Sequence, residues 1–335
     1  MGMNIDRARR AVNHTRYEPG GRQGHYESFF QRANHPSRPL AFWIRYTIFS
    51  PKGRPYDAVG ELWAVYFDGE QEKHTAVKAE LPISDCRFSR EGLDVKVGES
   101  ILQPGRMKGE VEGKGSSISW DLGYQGDEPP LFLLPLRLYE APLPKAKALV
   151  AKPMAVWQGS LRVDGKEIEI DGWIGSQNHN WGSKHTDHYA WGQVAGFDDA
   201  PGSFLEVATA QLKIGPVWTP PLTPVVLRHE GVEYAMNSLL HSAWKGRFDY
   251  FTWQFRGSSA EARLRGRIFG RKDAFVGLRY ENPPGGWKWC LNSKIASCEV
   301  TLERRGQRPV TLRSANRAAF EILTGDDSHG VALRA

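Results

Sequence analysis

Long stretches of this chain alternate with a period of two and carry bulky apolar side chains on both sides of the alternation. In residues 41–49 and 61–68, aromatic and aliphatic residues occupy odd and even positions alike. Successive side chains of a β-strand point to opposite faces. Strands of this kind need apolar cover on both faces, or a place in a barrel wall with something packed over it.

Turn signals separate these strand patterns. Asp164-Gly165 is a strong two-residue hairpin signal, and Glu230-Gly231, Gly257–Ser259 and Arg305-Gly306 mark further turns. No long amphipathic helix is indicated, and residues 315–322 fit either a short helix or a last strand. Many short antiparallel strands predict an all-β fold built from barrels or sandwiches.

The chain is long enough for two medium-sized domains. We predict two β-barrel-like domains, 25–190 and 191–335, that meet near residue 190. Two proline-rich stretches, 127–145 and 216–224, each predict a domain junction or a long loop over a pocket mouth. Residues 1–24 are polar and basic, and this composition predicts a flexible arm. The segment lacks the apolar block of a signal peptide, so a cytoplasmic location is expected.

Charge and cysteine content narrow the expected partners. The net charge is +6, and the basic residues are scattered rather than clustered into a stripe, so no nucleic acid is expected as a partner. Contact with anionic lipid at a membrane surface stays open. The chain has three cysteines and no Cys-x-x-Cys pair, which fits a reducing compartment without a disulfide framework.

A dense group of polar and aromatic residues spans positions 177–191. Such a group is costly to bury unless each member finds a hydrogen-bond partner, so it either faces water or lines a pocket. We predict a pocket, with His179 held in one tautomer between Asn178 and Asn180, because an imidazole can then present one nitrogen to a ligand. Trp181 would form an apolar wall, with Tyr189 or Trp191 nearby. The alternative is a polar corner whose side chains satisfy the loop backbone.

A metal site is a second interpretation of the same region. His185 and Asp187, with His229 or His241 as a distal ligand, would give the two-histidine, one-carboxylate set of non-haem iron oxygenases. We nevertheless expect no tight metal site at His185, Asp187 and His188, because alternate residues of a strand point to opposite faces.

Glu206 is the acidic residue of greatest interest. It falls in a predicted strand over residues 203–212, on the same face as Phe204 and Ala208. A lone acid on such a strand either faces solvent or is buried, and in an apolar pocket its pKa rises so that it holds a proton at neutral pH.

Three segments resemble the double-lipocalin superfamily, which includes carotenoid 1,2-hydratases (hydroxyneurosporene synthases), tocopherol cyclase-like proteins and fungal Diels–Alderases. They are Gly24–Phe30, Asn178–Gly182 and Ala318–Leu323. The resemblance implies two lipocalin-like (calycin) antiparallel barrels packed together, with a site for an apolar ligand. It also implies that His179 and Glu206 are the catalytic pair. Asn178 and Glu206 stand where the hydratases usually carry aspartates.

These observations lead to one expected function and two alternatives. We expect the chain to bind a hydrophobic small molecule, isoprenoid or polycyclic, and to transform it by acid catalysis with no cofactor, through hydration, cyclisation or isomerisation. The catalytic residues would be His179 and Glu206. The ligand-binding residues would be Asn178, Asn180, Trp181, Tyr189, Trp191 and Phe204. The alternatives are a carrier without catalysis and the iron oxygenase, and an inward, buried Glu206 favours the enzyme over the carrier.

Overall fold

The computed structural model describes residues 4–335 and is almost entirely β, with 59% of the residues in strands and 7% in helices. This confirms the predicted fold class. The helices are α1 (Ile5–Arg10), α2 (Arg137–Glu140) and four 3₁₀ turns, at Pro55–Asp57, Ile83–Asp85, Leu239–His241 and Lys272–Ala274. No helix within residues 4–335 has the length and apolar character needed to cross a membrane.

The first sheet is an antiparallel meander of eleven strands that curves back on itself. Its strands are β1 (His25–Asn34), β2 (Leu40–Ser50), β3 (Val59–Asp68), β4 (Lys73–Pro82), β5 (Cys86–Phe88), β6 (Val95–Val97), β7 (Ser100–Gln103), β8 (Arg106–Gly113), β9 (Ser116–Gln125), β10 (Ala146–Val163) and β11 (Lys166–Gly182). Strand β11 joins β1 to β10. The sheet nearly closes where β8 approaches β4, since a Cβ atom at Gly113 would lie 3.1 Å from the carbonyl oxygen of Lys78.

The second sheet repeats this plan with ten strands. The remaining strands are β12 (His188–Ala195), β13 (Phe204–Gln211), β14 (Lys213–Ile214), β15 (Val217–Trp218), β16 (Val225–His229), β17 (Val232–Met236), β18 (Gly246–Asp249), β19 (Thr252–Ser258), β20 (Ala262–Phe269), β21 (Val276–Glu281), β22 (Trp287–Arg304) and β23 (Val310–Thr324). Strands β14 and β15 form a separate hairpin. Gly246 on β18 packs against Thr209 on β13, where a Cβ atom would lie 2.0 Å from the threonine hydroxyl, so this sheet also curves round.

Local sequence explains much of this topology. The Asp164-Gly165 signal forms the predicted two-residue turn between β10 and β11, and both residues have positive φ, which glycine adopts without a Cβ clash. Residues 315–322 are part of the last strand, β23, rather than a helix. The chain passes from the first sheet to the second between Gly182 and His188. The division into domains at residue 190 stays a prediction.

The two sheets pack against each other through their outer faces, so each strand at the contact is covered on both sides. On β2, Phe42, Ile44 and Tyr46 point into the core of the first sheet. Trp43, from the opposite face, joins a second cluster that includes Trp191 and Leu323 of the second sheet. The two-sided apolar alternation of residues 41–49 therefore reflects a barrel interior on one side and the partner sheet on the other.

The segment before β1 is docked rather than a free arm. Val12 and Tyr17 are each only 7% exposed, and the backbone N–H groups of Arg16 and Tyr17 donate to the Glu27 carboxylate at 2.7 to 2.9 Å. The predicted flexible arm over residues 1–24 is thus wrong for the described part of it. Although the segment is basic overall, its apolar residues Val12 and Tyr17 are buried and help to hold it against the first sheet.

Candidate functional site

A cavity of about 380 Å³ lies between the facing outer surfaces of the two sheets. Strands β1, β2 and β11 supply one wall, and β12, β13 and β23 supply the other. Residues from 133–149 and 212–224, which overlap the two proline-rich stretches 127–145 and 216–224, also line it. Most of the lining is apolar, including eight leucines. They are Leu133, Leu134, Leu138, Leu143, Leu149, Leu212, Leu222 and Leu239.

Strand alternation decides which residues of the Asn178–Gly182 block face this cavity. Asn178 and Asn180 line it, whereas His179 and Trp181 do not. The expectation that His179 and Trp181 point into the cavity is therefore wrong. The block is a continuous part of β11, so neighbouring side chains must point to opposite faces, and the amides, rather than the imidazole and the indole, face the second sheet.

His179 instead connects the segment before β1 to the first sheet through hydrogen bonds. Its ring stacks on Phe29, its Nδ1 lies 2.6 Å from the carbonyl oxygen of Val12, and its Nε2 lies 2.8 Å from Oε1 of Glu27. Burial alone would raise the pKa of Glu27, but hydrogen bonds from His179 and His25 lower it to about 2. Both ring nitrogens of His179 are therefore occupied within the protein.

Trp181 and Phe204 also lie outside the cavity wall. Trp181 packs against Val12 and Tyr139, with the guanidinium of Arg16 5.0 Å from its ring centre. Phe204 belongs to a neighbouring apolar cluster with Leu131. Tyr189 and Trp191, the other two aromatic residues of the predicted set, do line the cavity.

Glu206 faces the cavity from β13 and is held by two N–H donors. Nε1 of Trp191 donates to its Oε1 and Nε2 of Gln193 donates to its Oε2, both at 2.8 Å. The residue is 2% exposed, and burial raises the pKa of its carboxyl to about 7, although these two hydrogen bonds and nearby Arg32 act to lower it. A carboxyl with a pKa of about 7 is present in both its protonated and its ionised form at neutral pH.

Gln193 connects Glu206 to the first sheet. Its Nε2 also donates to Oδ1 of Asn178, at 2.9 Å, and its Oε1 accepts from Nε of Arg32, at 2.8 Å, and from Oγ of Ser176. Because the amide is engaged on both sides, it fixes the orientation of Glu206 relative to β1 and β11. The Gln193 amide is fully engaged, whereas Nη2 of Arg32 is buried without a hydrogen-bond partner among residues 4–335.

One part of the cavity is polar. The ring of His185 stacks on Tyr26, with ring centres 3.9 Å apart, and lies 5.7 Å from Tyr280. Burial, together with Arg45 and Lys288, lowers the pKa of His185 to about 3, so the ring is neutral at neutral pH. Glu321 also lines the cavity, with Oε1 2.7 Å from Nζ of Lys294.

The predicted iron ligands do not converge. The Asp187 carboxylate pairs with Lys184 at 2.6 Å, away from the stacked ring of His185. Nδ1 of His229 is hydrogen-bonded to Oγ of Ser203, and Nδ1 of His241 is hydrogen-bonded to Oγ of Ser238. Within residues 4–335, no three histidine, cysteine or acidic side chains are grouped so as to hold a metal ion.

Sequence reasoning missed the polar lining residues Arg45, Lys147, Tyr280 and Glu321, and the fully buried Arg32, Gln193 and Lys294 next to the lining. Arg45 and Glu321 did carry a signal, because each is a charged residue inside an otherwise apolar strand segment. A charge at such a position is buried unless its face meets water, and a buried charge needs a partner or a function. Gln193 offered no comparable signal.

No protein-family model matches this chain. The uncharacterized protein Rv0493c of Mycobacterium tuberculosis is 25% identical over 290 residues, which span 85% of this chain and 83% of that protein. Kievitone hydratase from Nectria haematococca has a similar structure, with a TM-score of 0.55, 12% identity, and coverage of 90% of this chain and 89% of that one. CghA, whose structure was solved with Sch210972, also has a similar structure. Its TM-score is 0.55, its sequence identity is 12%, and the match covers 92% of this chain and 90% of that one.

At 12% identity, these structural likenesses bear on the fold rather than on the chemistry. They extend over about nine tenths of each chain, which includes both sheets and the cavity between them. They also agree with the resemblance drawn from the three sequence segments. The chain therefore has the double-lipocalin fold, with two lipocalin-like antiparallel barrels packed together.

Proposed function

We propose that this protein binds an apolar small molecule in the cavity between its barrels and transforms it by proton transfer from Glu206. The observation that carries the proposal is the Glu206 carboxyl itself, which faces a leucine-rich cavity and has a pKa raised by burial to about 7. An acid with this pKa is present in both protonation states at neutral pH, which suits a group that must give up a proton and later regain it.

The surroundings of Glu206 support a role in proton transfer. Trp191 and Gln193 each occupy one lone pair of the carboxyl, which leaves the remaining positions free to meet a ligand. Trp43 and Trp191 line the same space, and their ring faces attract positive charge. Oδ1 of Asn180 is buried without a hydrogen-bond partner among residues 4–335, so it can accept a hydrogen bond from a ligand.

The reaction class that fits these groups is hydration, cyclisation or isomerisation of an isoprenoid or polycyclic molecule, without a cofactor. In a hydration, the Glu206 proton would add to one carbon of an alkene, the cation would form at the other, and water would add there. The water would return its second proton to the Glu206 carboxylate, so the enzyme ends as it began. That the same fold serves a protein named kievitone hydratase is consistent with this class.

A carrier function is the second candidate, and the hydrogen bonds of Glu206 favour it. Both carboxyl oxygens already accept bonds from the protein, in a network that ties the barrels together. In that case Glu206 would stabilise the structure, and the cavity would hold its ligand unchanged.

Native mass spectrometry of the purified protein separates these candidates. The wild type and Glu206→Gln should be compared for co-purified apolar molecules, with Glu303→Gln as a control, since Glu303 is a half-exposed glutamate on the outer side of β22. The enzyme proposal predicts that Glu206→Gln retains a substrate that the wild type and the control convert. The same molecule in all three proteins would support the carrier.

A further inference from the structure

Arg45 is a buried guanidinium that faces the cavity without a carboxylate partner. It lies on β2 and is 4% exposed. Its Nε and Nη2 both donate to Oγ of Ser28, at 2.8 and 2.6 Å, and its central carbon lies 4.5 Å from the ring centre of Tyr280. Among residues 4–335, Nη1 donates no hydrogen bond and no carboxylate forms an ion pair with this side chain. A buried charge of this kind is costly unless something compensates for it.

The charges around the cavity do not balance without a ligand. Arg45 and Lys147 line the cavity and Arg32 and Lys294 are buried beside it, while Glu206 and Glu321 are the acids in its lining. Lys294 is paired with Glu321, and Arg32 reaches Glu206 only through the amide of Gln193. Even with both acids ionised, these four cations exceed the two acids by two charges. Arg32 is held by Gln193 and Asn34, and Lys147 donates to the carbonyls of Ala141 and Pro144, whereas Arg45, which lines the cavity, is held by Ser28 alone among residues 4–335.

We propose that the ligand is an apolar acid whose anionic group binds Arg45, while its hydrocarbon part lies among the leucines of the cavity. This inference rests on the proposed function and adds the chemical class of the ligand. An anion on Nη1 would supply the missing charge and form a charge-assisted hydrogen bond. The carboxylate is the simplest such group, because the guanidinium plane matches it.

Neighbouring side chains suit the same head group. Tyr26, Tyr189 and Tyr280 line the cavity around Arg45, and burial raises the pKa of each phenol, so all three stay protonated donors at neutral pH. His185, stacked on Tyr26, is neutral and does not add a competing charge. The anionic head group would therefore meet hydrogen-bond donors on several sides, and the eight leucines would cover the hydrocarbon part of the ligand.

A matched pair of probes tests this inference. Cis-parinaric acid and its methyl ester differ only in the anionic group, and the fluorescence of both increases in an apolar site. The wild type should bind the acid at least roughly tenfold more tightly than the ester, the size expected for one charge-assisted hydrogen bond. Arg45→Gln should abolish that preference with little effect on ester binding, and Arg45→Lys should keep part of it.

The outcomes distinguish this inference from the proposed function. Equal binding of acid and ester by the wild type would overturn the apolar-acid inference and leave an apolar cavity intact. Binding of neither probe would count against the cavity as a ligand site. If Arg45→Gln does not fold, as judged by its circular dichroism melt, the acid-to-ester ratio of the wild type still decides the question.

A separate surface observation concerns how an apolar ligand reaches the cavity. Its mouth is bordered by apolar side chains that point into solvent. Leu143 lines the cavity and is 59% exposed, and Leu240, next to the lining residue Leu239, is 88% exposed. Trp244 is 77% exposed, and its N–H donates to the carbonyl of Pro221, beside the lining residue Leu222. The β14–β15 hairpin adds Ile214, Val217 and Trp218.

Beside Trp244, the outer face of β18, β19 and β20 is strongly basic. Its cations are Lys245, Arg247, Arg256, Arg263, Arg265 and Arg267. Glu299 and Glu303 are the acids among the residues lining these two clefts, and they pair with Arg267 and Arg265. Exposed aromatic and aliphatic groups next to a basic face match an anionic bilayer, whose headgroups attract cations and whose hydrocarbon accepts apolar side chains. We infer that this face docks on an anionic membrane surface, with the cavity mouth toward the lipid.

Vesicle co-sedimentation tests this docking surface. The protein should sediment with vesicles of phosphatidylcholine and phosphatidylglycerol, and several-fold less with phosphatidylcholine alone. The double variant Leu240→Ser/Trp244→Ser should lose binding, whereas Tyr56→Ser, which removes a 96% exposed tyrosine on another turn, should not. Equal sedimentation with both vesicle types, or binding of single-stranded RNA in place of vesicles, would overturn the inference.

Discussion

Gln193 and Glu206 face each other across two paired strands, and the glutamine Nε2 donates to the glutamate Oε2 at 2.8 Å. The other end of the same amide accepts a hydrogen bond from Arg32 of the first barrel. One side chain thus positions the central carboxyl of the cavity and joins the two barrels. The orientation of Glu206 therefore depends on the packing of the barrels as well as on its own strand.

The raised pKa of Glu206 should appear as a pH-dependent stability. A carboxyl whose pKa rises from 4.5 to about 7 on folding stabilises the protein fully below pH 4.5, and this contribution is lost as the pH rises through about 7. Relative to Glu206→Gln, the wild type should lose about 3 kcal/mol of unfolding free energy between pH 4.5 and pH 8. Urea denaturation of both proteins across this range measures the difference.

The comparison with the variant is needed because His185 acts in the opposite direction. Its pKa is lowered to about 3, so its contribution to stability is present above pH 6.5 and lost as the pH falls. This contribution is common to the wild type and Glu206→Gln, and it cancels in the difference. A difference that is flat with pH would show that Glu206 does not have the raised pKa.

Trp181→Ala should affect stability rather than ligand binding. Trp181 is 8% exposed and packs against the docked segment and Tyr139, away from the cavity. Its removal should cost about 3 kcal/mol or more, as for other large core aromatics. The folded variant should bind cis-parinaric acid with unchanged affinity, and a tenfold loss of affinity at a temperature where it is folded would contradict the placement.

His179→Ala should release the segment before β1. Without the imidazole, Val12 loses a hydrogen bond and Glu27 loses a partner that lowers its pKa. We expect faster tryptic cleavage at Arg7, Arg9 and Arg10, with the two barrels left intact. His35→Ala is the matched control, because His35 lies on a surface turn. Equal cleavage rates in both variants would count against this role.

No iron or zinc is expected at stoichiometric level in the protein. His185 and Asp187 are engaged by different partners, Tyr26 and Lys184. Elemental analysis of protein purified without chelators should therefore show only trace metal. Stoichiometric iron that disappears in His185→Ala would restore the oxygenase alternative.

The sequence was sufficient to predict the class of the fold and to single out Glu206 as the acid of interest, but it left open whether Glu206 faces solvent or is buried. Period-two alternation and the Asp164-Gly165 turn depend on a few neighbouring residues, so they can be recognised without a structure. The same alternation placed Glu206 and Ala208 on one face of their strand, and both line the cavity. In contrast, His179 could be placed correctly only if one knew which face of β11 packs against the second barrel. A one-residue difference in register reverses that face, and no local signal determines it.

Long-range partners were beyond the reach of the sequence. The bond from Arg32 to Gln193 joins residues 161 positions apart, and neither residue type is unusual in a strand. The docking of residues 4–24 likewise depends on His179, which lies 167 positions after its partner Val12. Such contacts depend on the packing of whole sheets, whereas local patterns report only the sheets themselves.

The turnover of the co-purified molecule by Glu206→Gln tests the central claim most directly. The glutamine keeps the size of the side chain, and its amide oxygen can keep one of the two hydrogen bonds from Trp191 and Gln193, but it has no acidic proton to transfer. The account predicts that the variant binds the molecule normally and converts it on the order of 10²-fold more slowly than the wild type and Glu303→Gln. Full activity in Glu206→Gln would contradict it.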